Sequence, residues 1–109
     1  DNAKIDIVYK YVYSNFKEHI SLDTIAEQVS MTVPAFCRYF KRKTRKTISA
    51  FIMEIRIGYA CKLLLEERHA ISDIAYKCGF NNLSNFNRQF RAIKKMSPKD
   101  YIKSYKKSE

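Results

Sequence analysis

Arginine stands at equivalent places in two stretches of this chain, in one of them among amide side chains, and hydrogen bonding is the chemistry those residues can do there. Arg38 ends the run Pro34-Ala35-Phe36-Cys37-Arg38, and Arg88 ends Ser84-Asn85-Phe86-Asn87-Arg88, fifty residues later. A guanidinium presents five N–H donors, and an amide presents donors and an acceptor together, so such side chains suit recognition rather than bond breaking. The rest of the sequence offers no catalytic constellation: His19 and His69 stand alone, no nucleophile lies beside a base, and no carboxylate pair or glycine-rich phosphate loop is present. Cys37, Cys61 and Cys78 are odd in number, lack a CxxC pair and fall on apolar helical positions. They are expected to be buried free thiols, with no metal site. No cofactor and no enzymatic activity are expected.

The elements that must position these residues form a repeat. Ile25-Ala26 aligns with Ile74-Ala75 at an offset of 49, while Phe36, Arg38, Phe40, Thr47 and Ile52 align with Phe86, Arg88, Phe90, Ser97 and Ile102 at an offset of 50. One extra residue in the second turn accounts for the change, and the chain reads as two copies of one supersecondary unit. In the first copy Leu22, Ile25, Ala26 and Val29 mark a short helix behind an N-cap at Ser21. Ser30-Met31 makes the turn, Thr32 caps the next helix, and Pro34 falls in its first turn, where a missing amide proton costs little. On a wheel of about 100° per residue, Val33, Phe36, Cys37 and Phe40 share the inward face of this helix. Pro34, Arg38, Lys41 and Arg42 lie opposite, with Ala35 at the edge. In the second copy Ile71, Ile74, Ala75 and Cys78 mark the short helix, Gly79 supplies a left-handed turn, and Phe80 anchors that turn. Asn81 or Asn82 caps a helix reaching about Lys94, with Leu83, Phe86 and Phe90 inward and Ser84, Asn85, Arg88 and Arg91 outward; Asn87 flanks the outward set.

Around these units, Ile5, Val8, Val12 and Phe16, with Tyr9 and Tyr13, predict a helix over residues 3–17. Ile48, Phe51, Ile52, Ile55, Tyr59, Leu63 and Leu64 make the stripe of a long helix from Thr47 to Glu67, roughly 30 Å in length. Gly58 in its interior costs about 1 kcal/mol against Ala and reads as either a point of close packing or a tolerated weak point. Ser97-Pro98-Lys99-Asp100 opens a last helix, expected to end near Ser104 with a frayed Lys-rich tail beyond. Only two Gly and two Pro among 109 residues, with 46% hydrophobic residues, favour an all-α fold of about seven helices. The organisation expected is residues 1–46 as the first unit, 47–67 as a linker helix and 68–109 as the second unit, the halves leaning on that shared element.

The net charge of +10 points to an anionic partner. Six bases lie between Arg38 and Lys46 with no acid, and eight lie between Arg88 and Lys107 with only Asp100, whereas the long helix between them is nearly neutral. The charge thus recurs with the repeat, as a two-footed binder of a polyanion requires. A basic module that docks acidic proteins or an anionic surface is the alternative. Ser84, Asn85 and Asn87 on the same face argue instead for base edges. No apolar run approaches the roughly 20 residues of a membrane span and no leader opens the chain, so a reducing cytoplasm is expected and no membrane partner. Asp1 in place of an initiator Met suggests a fragment.

The pattern Arg56, Ala60, Leu63-Leu64, Ile74-Ala75, Gly79-Phe80, Phe86, Arg88, Phe90, Ser97-Pro98 and Tyr101 resembles the DNA-binding domain of AraC/XylS-family transcription regulators over nearly the whole chain. The family usually has Gly where Arg45 and Lys95 stand here. The resemblance implies two homeodomain-like helix-turn-helix subdomains on a linker helix, with the second helix of each in the DNA major groove, and regulation of transcription, more often its activation. RNA polymerase is an implied partner, and a separate effector or dimerisation domain is often present. Pro34, Ala35, Cys37 and Arg38, with Ser84, Asn85, Asn87 and Arg88, match positions that face DNA in the family. Arg can fork onto guanine and Asn onto adenine, so all but Cys37, which the wheel turns inward, are expected at base edges. Lys41, Arg42 and Arg91 are expected at phosphates, as are Ser30, Thr32, Asn81 and Asn82 at the helix starts. A linker of roughly 30 Å against the roughly 34 Å between successive major-groove segments leads to the expectation of two short, dissimilar DNA elements about one turn apart.

Overall fold

The computed structural model describes residues 2–107. Among them are seven α-helices and no strand: α1 (Asn2–Asn15), α2 (Leu22–Gln28), α3 (Val33–Thr44), α4 (Ile48–Glu66), α5 (Ile71–Lys77), α6 (Leu83–Lys94) and α7 (Pro98–Lys107). The chain divides into two compact units, one extending to Ile52 and the other beginning at Met53, so the boundary falls inside α4. No helix among the described residues is long and apolar enough to cross a membrane.

In the first unit α1 packs on α2 and α2 on α3. Val8 and Val12 of α1 are buried, as are Ile25, Ala26 and Val29 below them and Phe36, Tyr39 and Phe40 of α3; Ile48 and Ile52 complete this core. Tyr9 lays its ring against Phe51 at 5.0 Å and edge-on to Phe40 at 6.4 Å, an arrangement aromatic quadrupoles favour. Tyr39 was not expected inside. It lies beside the α3 stripe and is 6% exposed, its ring covered by the Arg42 guanidinium 5.9 Å from the centroid. The expected side-chain cap from Ser21 is absent: its backbone has N-cap geometry, and only its carbonyl serves, accepting from Ile25 N at 3.2 Å.

In the second unit α5 packs on α6 and α6 on α7. One apolar cluster joins Ile57, Ala60, Cys61, Leu63 and Leu64 of α4 to Ile74, Ala75, Cys78, Phe80, Phe86 and Phe90. A run of rings threads it, Phe80 to Phe86 at 5.3 Å, Phe86 to Phe90 at 5.8 Å, Phe90 to Tyr101 at 5.7 Å and Tyr101 to Tyr105 at 5.0 Å. Burial pushes the Cys61 thiol above its ordinary range against a hydrogen bond from Tyr101 and the nearby Lys94, so it stays protonated and behaves as a small apolar group. The Tyr101–Tyr105 contact one turn apart, the Ser104 hydroxyl donating to Tyr101 O at 2.9 Å, and an exposed Lys106–Glu67 pair at 2.8 Å accompany α7 through Lys107. The helix therefore does not end near Ser104 as its sequence suggested. The end of the Lys-rich tail, residues 108 and 109, lies outside the described residues.

Three sequence expectations fail for reasons of context. The single stripe assigned to the long helix omits Ile57, Ala60 and Cys61, all in the core. The first turns of α4 serve one unit and the rest serves the other, so no one face holds every buried residue. Leu83 is 37% exposed rather than inward, because as the first residue of α6 it precedes the turn that packs, and Ile93 takes the remaining place beside Phe86 and Phe90. Gly58 marks no close approach: a Cβ built there meets nothing within 4 Å. Its backbone is not left-handed, so the glycine costs the helix about 1 kcal/mol and gains nothing from packing. Gly58→Ala is accordingly expected to stabilise the chain by about 0.5–1 kcal/mol in a denaturant titration, and a loss of stability would show a packing role absent from this structure.

Candidate nucleic-acid interface

The two outward-facing helices, α3 and α6, are held at both ends by matching hydrogen bonds. At the start, Thr32 Oγ1 accepts from Ala35 N at 3.3 Å, and Asn82 Oδ1 accepts from Asn85 N at 2.7 Å; of the two candidate asparagines, Asn82 is the cap. In the turns before them, Met31 N donates to Ala26 O and Phe80 N to Ala75 O, both at 3.0 Å. Ser30 with φ 57° occupies the left-handed position that Gly79 fills with φ 98° in the other copy. At the far ends, Arg45 N donates to Lys41 O and Lys95 N to Arg91 O, both at 2.8 Å, with φ 66° and 64°. These are the two places where the family resemblance led to an expectation of glycine. A left-handed side chain costs about 1 kcal/mol, and here the backbone keeps the left-handed geometry regardless. One residue pair further on, Thr47 Oγ1 accepts from Ala50 N at 3.0 Å and Ser97 Oγ from Asp100 N at 3.1 Å. The repeat therefore holds at the level of individual bonds.

With Phe36 and Phe40, or Phe86 and Phe90, fully buried, the opposite faces reach solvent. Of the residues expected at base edges, Pro34, Arg38, Ser84, Asn87 and Arg88 are exposed and Ala35 and Asn85 half-buried. Of those expected at phosphates, Ser30, Thr32, Lys41, Arg42, Asn81, Asn82 and Arg91 are all exposed. Thr32 and Asn82 spend an acceptor oxygen on capping, which leaves the hydroxyl proton and the amide N–H groups available to an anion. Asn85 and Arg88 are brought together directly: Arg88 Nη2 donates to Asn85 Oδ1 at 2.8 Å.

Each unit also carries a shallow groove beside its outward helix. One, of about 420 Å³, is lined by Ile71, Leu83, Asn87, Arg91, Ser97, Pro98 and Lys99. The other, of about 320 Å³, is lined by Leu22, Cys37, Arg38, Lys41, Thr47, Ile48 and Ser49. Six positions correspond across the repeat, Cys37 to Asn87, Lys41 to Arg91 and Thr47 to Ser97 among them. Cys37 is consequently half-buried on a groove wall and not in the core, because it sits at the margin of its helix facing the start of α4. Lys99 joins Arg91 and Asn87 in the larger groove. Sequence reasoning missed it, although its place two residues after the Ser97 cap could have signalled it. Arg56, by contrast, is half-buried, and desolvation lowers its guanidinium from the ordinary value.

Two units of short helix, turn and exposed basic helix, repeated in tandem in an all-helical chain, define a double helix-turn-helix protein. A family model described as a helix-turn-helix domain matches residues 25–104. The chain is 28% identical over 98 residues to the HTH-type transcriptional activator RhaS of Escherichia coli O1:K1, covering 90% of this chain and 35% of RhaS. It is 30% identical over 105 residues to an HTH-type transcriptional regulator in the cgkA 5' region of Pseudoalteromonas carrageenovora, covering 96% of this chain and 62% of that protein. Among solved structures, an AraC-type regulator from Chromobacterium violaceum superposes with a TM-score of 0.85 at 25% identity over 93% of this chain and 90% of that one. The DNA-binding domain of AdpA, solved with a target DNA, shares the fold at a TM-score of 0.84 and 23% identity over 93% and 91% of the two chains. The chain belongs to the AraC-type helix-turn-helix family, a family of DNA-binding transcription regulators. It spans about a third of the length of the RhaS relatives it matches.

The capping bond at α6 yields a direct check. Asn82→Ala is expected to lower stability by about 1 kcal/mol, whereas Asn81→Ala, which leaves the cap in place, should change it by less than about 0.5 kcal/mol. Equal effects in thermal melts would contradict the assignment of the cap.

Proposed function

We propose that this chain binds duplex DNA sequence-specifically by laying α3 and α6 in successive major-groove segments, and that it regulates transcription, as an activator rather than a repressor. The observation that carries this reading is the recurrence, in both units, of a helix locked by a buried Phe pair with an exposed arginine at the middle of its free face. Arg38 and Arg88, with Pro34, Ala35, Ser84 and Asn87, meet base edges, where a guanidinium can fork onto guanine O6 and N7, and Asn85 stands among them on the same face. Lys41, Arg42 and Arg91 meet phosphates, joined by Ser30, Thr32, Asn81 and Asn82 at the helix starts. The stacking of Arg42 on Tyr39 holds that guanidinium near the surface and reduces the entropy lost on engaging a phosphate. Because the outward residues of the two units differ, the site is asymmetric.

The activating role draws on the RhaS relatives, which are transcriptional activators by name, and makes RNA polymerase the further partner. An effector-sensing or dimerising domain outside this chain, and a cytoplasmic setting, complete the reading. A chain of net charge +10 that neutralises six to ten phosphates is expected to lose about 10³–10⁵-fold in affinity between about 50 and 200 mM salt. It should also retain its preference for a selected duplex over heparin at the higher salt. A flat salt response would contradict phosphate contact, and equal competition by heparin would favour a general polyanion binder.

A further inference from the structure

The Arg88–Asn85 bond separates two roles that the sequence left merged. We infer that Asn85 is a positioning residue for Arg88 rather than a reader of its own base, so that the second unit discriminates sequence chiefly through one oriented guanidinium. A guanidinium has no acceptor, so the bond from Nη2 at 2.8 Å obliges Asn85 to turn its oxygen, not its nitrogen, toward Arg88. Reading adenine through two hydrogen bonds requires that oxygen and the adjacent Nδ2 to face the base edge together, and an oxygen lone pair already committed to Arg88 restricts the rotamers that could do so. The amide is instead oriented by the guanidinium one turn along the helix. The backbone from which that amide projects is fixed from behind, since the Asn85 N–H is held by Asn82 Oδ1 at 2.7 Å. The chain Asn82, Asn85, Arg88 thus runs from the helix cap to the guanidinium. Four of the five Arg88 donors remain free, including a parallel pair suited to guanine O6 and N7.

The first unit lacks the device. Ala35 occupies the position equivalent to Asn85 and has no acceptor to offer Arg38. Arg38 accordingly surrenders more rotamer freedom on contacting a base than Arg88 does, and preorganisation of this kind raises discrimination where it is present. The second unit is therefore the more selective of the two.

This inference rests on the reading that α6 faces DNA, and its test distinguishes the two failures. A duplex selected from a random pool by the 109-residue chain is titrated, with its single-base-pair variants and a random duplex, against wild type, Arg88→Ala, Asn85→Ala and Asn85→Asp, after circular dichroism has shown equal helicity. Arg88→Ala is expected to abolish discrimination of about tenfold or more at one base pair. Asn85→Ala should weaken discrimination at that same base pair several-fold, leaving other positions and random duplex within about twofold. Asn85→Asp keeps the acceptor and a side chain compatible with a helix start; it should preserve the preference while weakening every duplex alike. Relaxation at a different base pair by Asn85→Ala, or at none, overturns the positioning role while leaving α6 in the groove. An Arg88→Ala variant with unaltered preference overturns that reading and the inference with it.

Discussion

Two phenylalanines one turn apart on the inward face of each outward helix decide where everything else points. Phe36 and Phe40 in α3, and Phe86 and Phe90 in α6, are 0% exposed, with ring centroids 6.0 and 5.8 Å apart within each pair. Burying one such side chain contributes about 1.5–3 kcal/mol, far more than any exposed polar contact on the opposite side. At about 100° per residue, the residue midway between two positions four apart points roughly 180° from their mean direction. That residue is Arg38 in one unit and Arg88 in the other. The core therefore sets the face from which each arginine emerges, and a surface bond such as that from Arg88 to Asn85 can only refine its aim.

The ends of these helices then set which neighbouring residues share the arginine's face. Thr32 and Asn82 fix the first turn, while Arg45 and Lys95 close the last one in left-handed conformations usually given to glycine. Each of these left-handed positions holds a basic side chain that a glycine would lack, so the strain there accompanies an added cation at the end of the helix. Ser30 also keeps a left-handed backbone where its counterpart is Gly79, there without adding a charge.

Much of this was legible in the chain itself because the signals were local. The bounds of α3 follow from a cap, an early proline and an apolar period of 3–4 residues; the repeat supplied a second reading of every ambiguous position. What escaped was set by tertiary context. Ile57, Ala60 and Cys61 are buried because α4 changes partners along its length, and a wheel cannot register such a change. Gly58 looked like a packing device and is an open surface position, a distinction that needs the neighbours' coordinates. Cys37 sits at the margin of its stripe, where a few tens of degrees move a side chain from core to groove wall, and Leu83 opens α6 ahead of the turn that packs. The Arg88–Asn85 bond depends on rotamers, which sequence spacing permits and does not specify.

In the function we propose, the two arginine-bearing faces engage duplex DNA together. Amide and side-chain NMR shifts recorded while a selected duplex is titrated into the labelled chain address it most directly. The largest changes are expected at the guanidinium and amide groups of Arg38, Arg88, Asn85 and Asn87, with smaller ones at Lys41, Arg42 and Arg91, and little at α1. Perturbations confined to one unit, or centred on α1 and away from both arginines, would contradict it.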